Sequence, residues 1–410
     1  VVDVATGQRV MLCDMANNPG FWIGREVLAL DQYSQKIVPH PIEAIYKNGI
    51  QDIWEITTKT GRHIRATAQH LFYTLLGWKP LSEFRTGDRI GLAGILPIKN
   101  SSNISDAQIK LIAYLLGDGH LCTKERSHCY FCNSDPELIA DFNTCASELF
   151  GRPAPVSYQL HPGRKTVGYV RVGSISSFNI WVDFHVKRAH SREKEIPDWV
   201  FLLSNDQLKL FLGTLWSTDG SFDMAIGHTD YTSTSRAMIE QIQHLLLRLG
   251  IVSLFNIKTT QYNGKNHISY RAQVTGREEV LKFCKKIQPF LSRKKFEKAQ
   301  ICYSVVYDKL CNQSKHTIPH EVIGLIANAK YASGMTWAEI DHAVGARRGT
   351  MSSGLNFQNH SRHSLSRHRV RNFATALDNQ QLRAIAESDV FWDVVKSIEF
   401  IGKEEVFDLT

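Results

Sequence analysis

Two stretches of this chain, about a hundred residues apart, end an apolar helical pattern in the same way: a small residue, then Asp, then Gly. The first runs Leu111-Ile112-Ala113-Tyr114-Leu115-Leu116-Gly117-Asp118-Gly119, the second Leu212-Gly213-Thr214-Leu215-Trp216-Ser217-Thr218-Asp219-Gly220. Asp118 and Asp219 lie 101 residues apart (219 − 118). Ser105 to Gln108 has the form of a capping box, and Asp206 can cap the second helix. Each Asp then falls thirteen residues after its cap (118 − 105 and 219 − 206). A strand-like stretch, an amphipathic helix (136–149 and 237–249) and another strand (169–172 and 270–274) follow each motif. A duplicated αβ unit explains this order.

Small residues four positions apart share one helix face: Ala113 with Gly117, and Thr214 with Thr218. Two such helices packed side by side would bring Asp118 and Asp219 together at C-terminal ends already carrying partial negative charge. Facing carboxylates there call for a hard divalent cation. Gly119 and Gly220 are expected as left-handed helix stops. Either motif alone reads equally as a helix-ending turn; two matched copies favour a site.

The flanks have a different texture. Residues 1–97 alternate β-branched stretches with turns at Asn48-Gly49 and Thr60-Gly61, and 388–410 returns to strand texture with Gly402 as a turn. Between them, 335–345 suggests a short helix, Arg347 and Arg348 a turn before a second helix, and 361–371 a basic stretch with Arg367, Arg369 and Arg371. That is compatible with a helix-turn-helix contacting DNA, or with a small helical insert whose charged face is solvated. The formal net charge of +8 favours a polyanionic partner. No run of eighteen apolar residues is present, and the N-terminus lacks a secretory pattern. Eight scattered cysteines suggest a reducing, cytoplasmic setting. Cys129-x-x-Cys132, with Cys122 and His128, has no second close pair to complete a zinc site.

The two Asp-Gly motifs resemble those of a single-chain LAGLIDADG homing endonuclease, over roughly residues 104–300. Threonine and Trp216-Ser217 in the second motif depart from the pattern. The resemblance implies a nuclease that cuts both strands of a double-stranded DNA site with Mg²⁺, held at Asp118 and Asp219 with Gly117 and Thr218 of the same motifs. It also implies a basic residue near each carboxylate. Lys194, before Ile196-Pro197, and Lys295 each lie 76 residues after their Asp (194 − 118 and 295 − 219). An ordinary surface lysine is the alternative.

Residues 61–74, with Thr67-x-x-His70, then Trp78 to Leu81 and Gly87-Asp88, resemble a motif of inteins, and Glu404 to Thr410 resembles the start of their downstream motif, particularly in inteins of replicative DnaB-type helicases. The resemblance implies that His70 protonates and Thr67 polarises the scissile upstream amide. It implies a replicative helicase as flanking host protein. Inteins open on Cys or Ser and close on His-Asn. This chain opens at Val1 and stops at Thr410, so a natural chain extending at both ends is expected and splicing is not expected of the chain as written.

The expected architecture is therefore multidomain. An all-β hedgehog/intein splicing fold takes 1–97 and 388–410. An α+β LAGLIDADG endonuclease of duplicated αββαββα form takes 98–200 and 201–300. A small helical DNA-binding insert takes 301–387. The expected function is an intein with homing endonuclease activity, a monomer with no membrane. The alternatives are a DNA-binding but degenerate nuclease in an intein active only in splicing, and an RNA-maturase role.

Overall fold

The computed structural model describes residues 1–121, 128–159, 166–262, 264–308, 317–353, 355 and 364–410. It divides into two compact units. Unit 1 comprises Val1–Asp3, Arg9–Pro97 and Gln313–Thr410; unit 2 comprises Val4–Gln8 and Ile98–Asn312. The chain passes from unit 1 to unit 2 between Pro97 and Ile98. The boundary expected at 300 falls inside a helix.

Unit 1 opens with α1 (Leu12–Asn17), α2 (Pro19–Trp22) and seven strands: β1 (Glu26–Asp31), β2 (Lys36–Pro41), β3 (Ile45–Thr58), β4 (His63–Ala66), β5 (Leu71–Thr74), β6 (Gly77–Pro80) and β7 (Arg89–Ala93). Asn48-Gly49, expected as a turn, lies within β3. Gly49 takes φ +74°, and the pairing slips by one residue against the partner strand at that point. A left-handed residue in a paired strand makes a bulge and lets the strand continue. Thr60-Gly61 does turn the chain, between β3 and β4, with Gly61 at φ +83°.

Unit 2 holds two consecutive segments of the same topology. The first is α3 (Asp106–Leu116), β8 (Gly119–His120), β9 (Tyr130–Asn133), α4 (Pro136–Phe150), β10 (Val156–Gln159), β11 (Val167–Arg171) and α5 (Ser174–Val182). The second is α6 (Asn205–Asp219), β12 (Gly220–Asp223), β13 (His228–Ser233), α7 (Arg236–Arg248), β14 (Leu254–Tyr262), β15 (Lys265–Val274) and α8 (Arg277–Lys286), followed by α9 (Arg293–Asp308). The sheets run β10-β11-β9-β8 and β14-β15-β13-β12, antiparallel throughout. One apolar core joins both segments: Ile109, Ile112 and Leu115 of α3 and Leu208, Leu212 and Leu215 of α6 are fully buried in it.

The cap of α6 is not Asp206 but Ser204, whose hydroxyl accepts from the Gln207 amide while the Gln207 side chain accepts from the Ser204 amide. Ser204 has the extended backbone a cap needs, and Asp206 sits inside the first turn, ion-paired to Lys209 at 2.7 Å. The link between the segments is tied down by Arg248, a buried guanidinium that donates to the carbonyls of Phe201 at 2.5 Å and Leu203 at 2.9 Å.

Unit 1 resumes with β16 (Thr317–Ile318), α10 (Val322–Ser333), α11 (Trp337–Ala343), β17 (Leu365–Ser366), α12 (Arg367–Ala376), α13 (Gln380–Glu387) and β18 (Val390–Leu409). β18 pairs first with β7 and then with β3, giving the order β4-β3-β18-β7. Gly402, the other expected turn, is also a bulge inside this strand, at φ +121°. The sheet carries a buried carboxylate, Asp393, which accepts from both the amide and the hydroxyl of Thr60.

The helix-turn-helix expectation changes here. Thr336 and Glu339 form a capping box that starts α11, but residues 348–353 after Gly345 are turns, not a second helix. Residues 354 and 356–363 lie outside the described residues. The basic stretch becomes α12, whose Val370, Phe373 and Ala374 enter a core with Ile318, Ile326 and Ile340. Arg367 does not face outward. Its guanidinium donates to the carbonyls of Ala386 (3.1 Å), Ser388 (2.8 Å) and Val390. Arg369 likewise donates to the carbonyl of Met351 at 2.6 Å and to that of Ser353. Carbonyls at a helix end and in turns have no backbone donor, and an Arg fork satisfies several at once. Arg347, Arg348 and Arg371 remain exposed, the last 3.6 Å from Glu387.

Arg367→Ala should therefore destabilise unit 1 by about 2–3 kcal/mol by orphaning those carbonyls, whereas Arg348→Ala should leave stability unchanged. Thermal unfolding of the two variants distinguishes them; equal melting temperatures would contradict the assignment.

Candidate active site

The site begins with how closely two helices approach. Gly117 caps α3 and meets Thr218 in the last turn of α6; a Cβ built on Gly117 would lie 2.0 Å from Thr218 Oγ1. No side chain fits there, so the glycine is required for space. Threonine in the second motif is accommodated because its partner has no side chain at all. The expected left-handed stops are not found: Gly220 has φ −65° and ψ 139°, and Gly119 is not among the residues with positive φ. Their constraint is also spatial. A Cβ would fall 2.4 Å from Leu115 Cα at Gly119, and 2.3 Å from the Trp216 carbonyl oxygen at Gly220.

This contact brings the side chains of Asp118 and Asp219 into interaction, close enough to share a hydrogen bond. Burial, and then the neighbouring Asp219 charge, push Asp118 up to about 7. Asp219, the more exposed residue, is raised too, chiefly by desolvation. Asn133 opposes the rise: its Nδ2 donates to Asp118 Oδ2 at 2.6 Å, while its Oδ1 accepts from the Asp135 amide at 2.7 Å. Ser233 occupies the same place before the cap of α7, accepting from the Ser235 amide at 3.1 Å. Asn133 escapes sequence reading because it lies outside both motifs; only its place two residues before the cap, shared with Ser233, signals it.

Both sequence-predicted lysines come to the site, in a form not anticipated. Lys194 is 4% exposed, and its ammonium donates to the carbonyls of Leu115 (3.0 Å), Leu116 (2.8 Å), Gly117 (3.0 Å) and Gly119 (2.8 Å). Lys295 donates to the carbonyls of Thr218, at 3.2 Å, and Gly220. Each lysine thus caps the C-terminal end of its helix, where the backbone is electron-rich. Burial lowers Lys194 to about 8, against the pull of Asp219 and Asp118. With four carbonyls around it, its ammonium acts on the carboxylates through charge. The carbonyls of Gly117 and Thr218, expected at a metal, accept from these lysines and keep one lone pair each.

Among the described residues, no group of three or more His, Cys, Asp or Glu side chains converges on a metal position. Cys129 is buried, and Cys132 donates to the Asp118 carbonyl at 3.3 Å; Cys122 lies outside the described residues. Two carboxylates with carbonyl neighbours still suit a cation that keeps most of its water, as Mg²⁺ does. The raised carboxyl pKa marks a place where a cation would relieve repulsion. Tyr231 is fully buried beside this site, with its hydroxyl next to the Thr218 side chain.

In unit 1, Thr67 and His70 are joined through the backbone, the His70 amide donating to the Thr67 carbonyl at 3.1 Å. His70 is exposed, and its ring packs edge-on to Phe72 at 5.2 Å.

Two measurements test this geometry. Gly117→Ala should destabilise unit 2 by about 1–3 kcal/mol through overpacking, read as a lowered melting temperature, and separate the carboxylates. A carboxyl raised on folding binds more protons folded than unfolded, so metal-free stability should fall as pH rises from about 4 to about 7. Asp118→Asn should flatten that slope, and a divalent ion should restore stability at pH 8; an unchanged slope in the variant would place the raised group elsewhere.

Comparison with known proteins adds the following. Residues 206–288 match the model of the LAGLIDADG-like domain. The replicative DNA helicase DnaB of Rhodothermus marinus is 30% identical over 427 residues, spanning 100% of this chain and 43% of the helicase. That of Nostoc sp. is 28% identical, spanning 98% and 46%. The chain thus spans less than half the length of these relatives. A DnaB intein from Synechocystis sp. PCC 6803 is 28% identical over 23% of this chain and 63% of its own, with a TM-score of 0.21. The homing endonuclease I-DmoI, in complex with DNA and Mn, is 16% identical over 47% and 99%, with a TM-score of 0.31. No helix among the described residues is long and apolar enough to cross a membrane. The chain carries, at residues 206–288, a LAGLIDADG-like domain.

Proposed function

We propose that the chain is an intein bearing a homing endonuclease that hydrolyses both strands of a double-stranded DNA site in the uninterrupted gene of its host protein, a replicative helicase. The observation that carries this reading is the pairing of Asp118 and Asp219 at the ends of two touching helices, each contributed by a segment of the same topology. Unit 2 would be two αββαββα repeats related by duplication, and unit 1 a hedgehog/intein splicing fold carrying a helical insert.

Asp118 and Asp219 would hold Mg²⁺, with the free lone pairs of the Gly117 and Thr218 carbonyls beside them. The ion would supply an activated water and charge stabilisation for the leaving oxygen. Asn133 orients the Asp118 carboxylate, and Lys194 and Lys295 partly offset the repulsion between the carboxylates by placing positive charge at the helix ends. In unit 1, Thr67 and His70 would polarise and protonate the upstream splice amide. Arg347, Arg348 and Arg371 are the insert's exposed cations for phosphate contact, while Arg367 and Arg369 serve its fold.

With a plasmid carrying the uninterrupted helicase gene and Mg²⁺, the wild-type chain should produce double-strand breaks. Asp118→Asn and Asp219→Asn should each reduce cleavage at least a thousandfold while DNA binding, measured by gel shift, persists and weakens with salt. Retained cleavage in both variants would remove the carboxylates from the reaction.

A further inference from the structure

The two halves of the site are not chemical copies, and the differences all point one way. Lys194 and Lys295 correspond at a spacing of 101 residues (295 − 194), as do Arg192 and Arg293. At the same spacing Glu193 corresponds in the sequence to Lys294, and Pro197 to Lys298. The second half therefore carries two lysines where the first has an acid and a proline. Lys294 is paired with Asp135 at 3.0 Å. Lys298 is exposed, one turn along α9 from Lys295, with no acidic partner among the described residues. A cavity of about 670 Å³ opens beside these two lysines at the end of α6, its lining including Thr218, Lys294, Lys295 and Lys298 together with the acidic Asp135 and Glu297.

The carboxylates differ in the same sense. Asp118 is held by Asn133, whereas Ser233, the counterpart of Asn133, reaches its own cap amide and Met238. Asp219 is the more exposed residue. An unpartnered lysine, a cavity sized for more than a water molecule and an accessible carboxylate make one half more open to a polyanion than the other.

We propose that Lys298 is a positioning residue that holds a backbone phosphate of the DNA strand entering on the Lys295 side, so that this strand is cut before its complement. The inference rests on the nuclease reading above. Lys298 touches the substrate's backbone and takes no part in bond breaking. The bond that breaks is a phosphodiester P–O, the bond that forms is P–O from water, and the leaving oxygen takes a proton.

The test uses the full chain, Mg²⁺ and a supercoiled plasmid carrying the uninterrupted helicase gene segment, with each strand followed by its own end label. Nicked circle should accumulate before linear product, with one strand cut first. Lys298→Gln should slow that first cut about tenfold, mainly through a raised KM, and leave the second strand's rate unchanged. Lys298→Arg should restore it, and the melting temperature should not move. Binding to the same DNA should lose about one unit of salt slope. Simultaneous cutting of both strands by the wild-type chain would overturn the inference, as would an equal slowing of both strands in Lys298→Gln. A wild-type chain that cuts neither strand would instead remove the nuclease reading, and this inference with it.

Discussion

The contact between Gly117 and Thr218 sets everything else in unit 2. Because one partner has no side chain, α3 and α6 meet at backbone distance, and the residues that follow have nowhere to go but toward each other. Two carboxyl groups end up side by side with their backbones' negative ends behind them. Left alone, that arrangement is repulsive. The fold answers it with a buried Lys194 ammonium on one helix end, a half-buried Lys295 on the other and an amide from Asn133, and still leaves Asp118 with a raised proton affinity. A protein interior tolerates such a pair where a cation or a proton completes it.

How far the sequence could be read follows from the range of each interaction. The repeated apolar helices ending in Asp-Gly are local patterns, and both helices and their spacing are found where the pattern places them. The lysines were reachable through the repeat, since equal spacing from each Asp marks equivalent positions. What they bond to was not, because carbonyls are anonymous in a sequence. Asn48-Gly49 and Gly402 misled for a similar reason. A residue with φ above zero can turn a chain or bulge a strand, and only the partner strand β18 decides between them. Arg367 and Arg369 looked like a basic surface; the carbonyls they satisfy come from residues 386 to 390 and 351 to 353, invisible to a linear reading.

The site's inequality is set by the same logic. Duplicated halves begin alike and keep what the shared geometry needs: the aspartate, the space-saving glycine, the capping lysine. They differ where geometry does not constrain them. Asn133 against Ser233, Lys298 against Pro197 and Tyr231 against Phe131 all lie beside the helix ends, outside the helix–helix contact. Phe131 fills a wholly apolar place next to Phe142, whereas Tyr231 carries a buried hydroxyl into the corresponding position. Such positions are free to give each half its own chemistry without loosening the core.

The long strand β18 carries a consequence for how the chain is made. It is the centre of unit 1's main sheet, yet its partner β3 lies 337 residues earlier (395 − 58). Closing a loop that long costs about 2.5 kcal/mol more than closing one of 20 residues, and β18 leaves the ribosome long after β3 does. The helix-rich unit between them is built from much shorter-range pairings and can be complete by then. The order of assembly is therefore fixed by connectivity: β3 waits with one edge open until β18 is made, and the charged residues Lys47, Asp52 and Glu55 along it disfavour pairing with another chain.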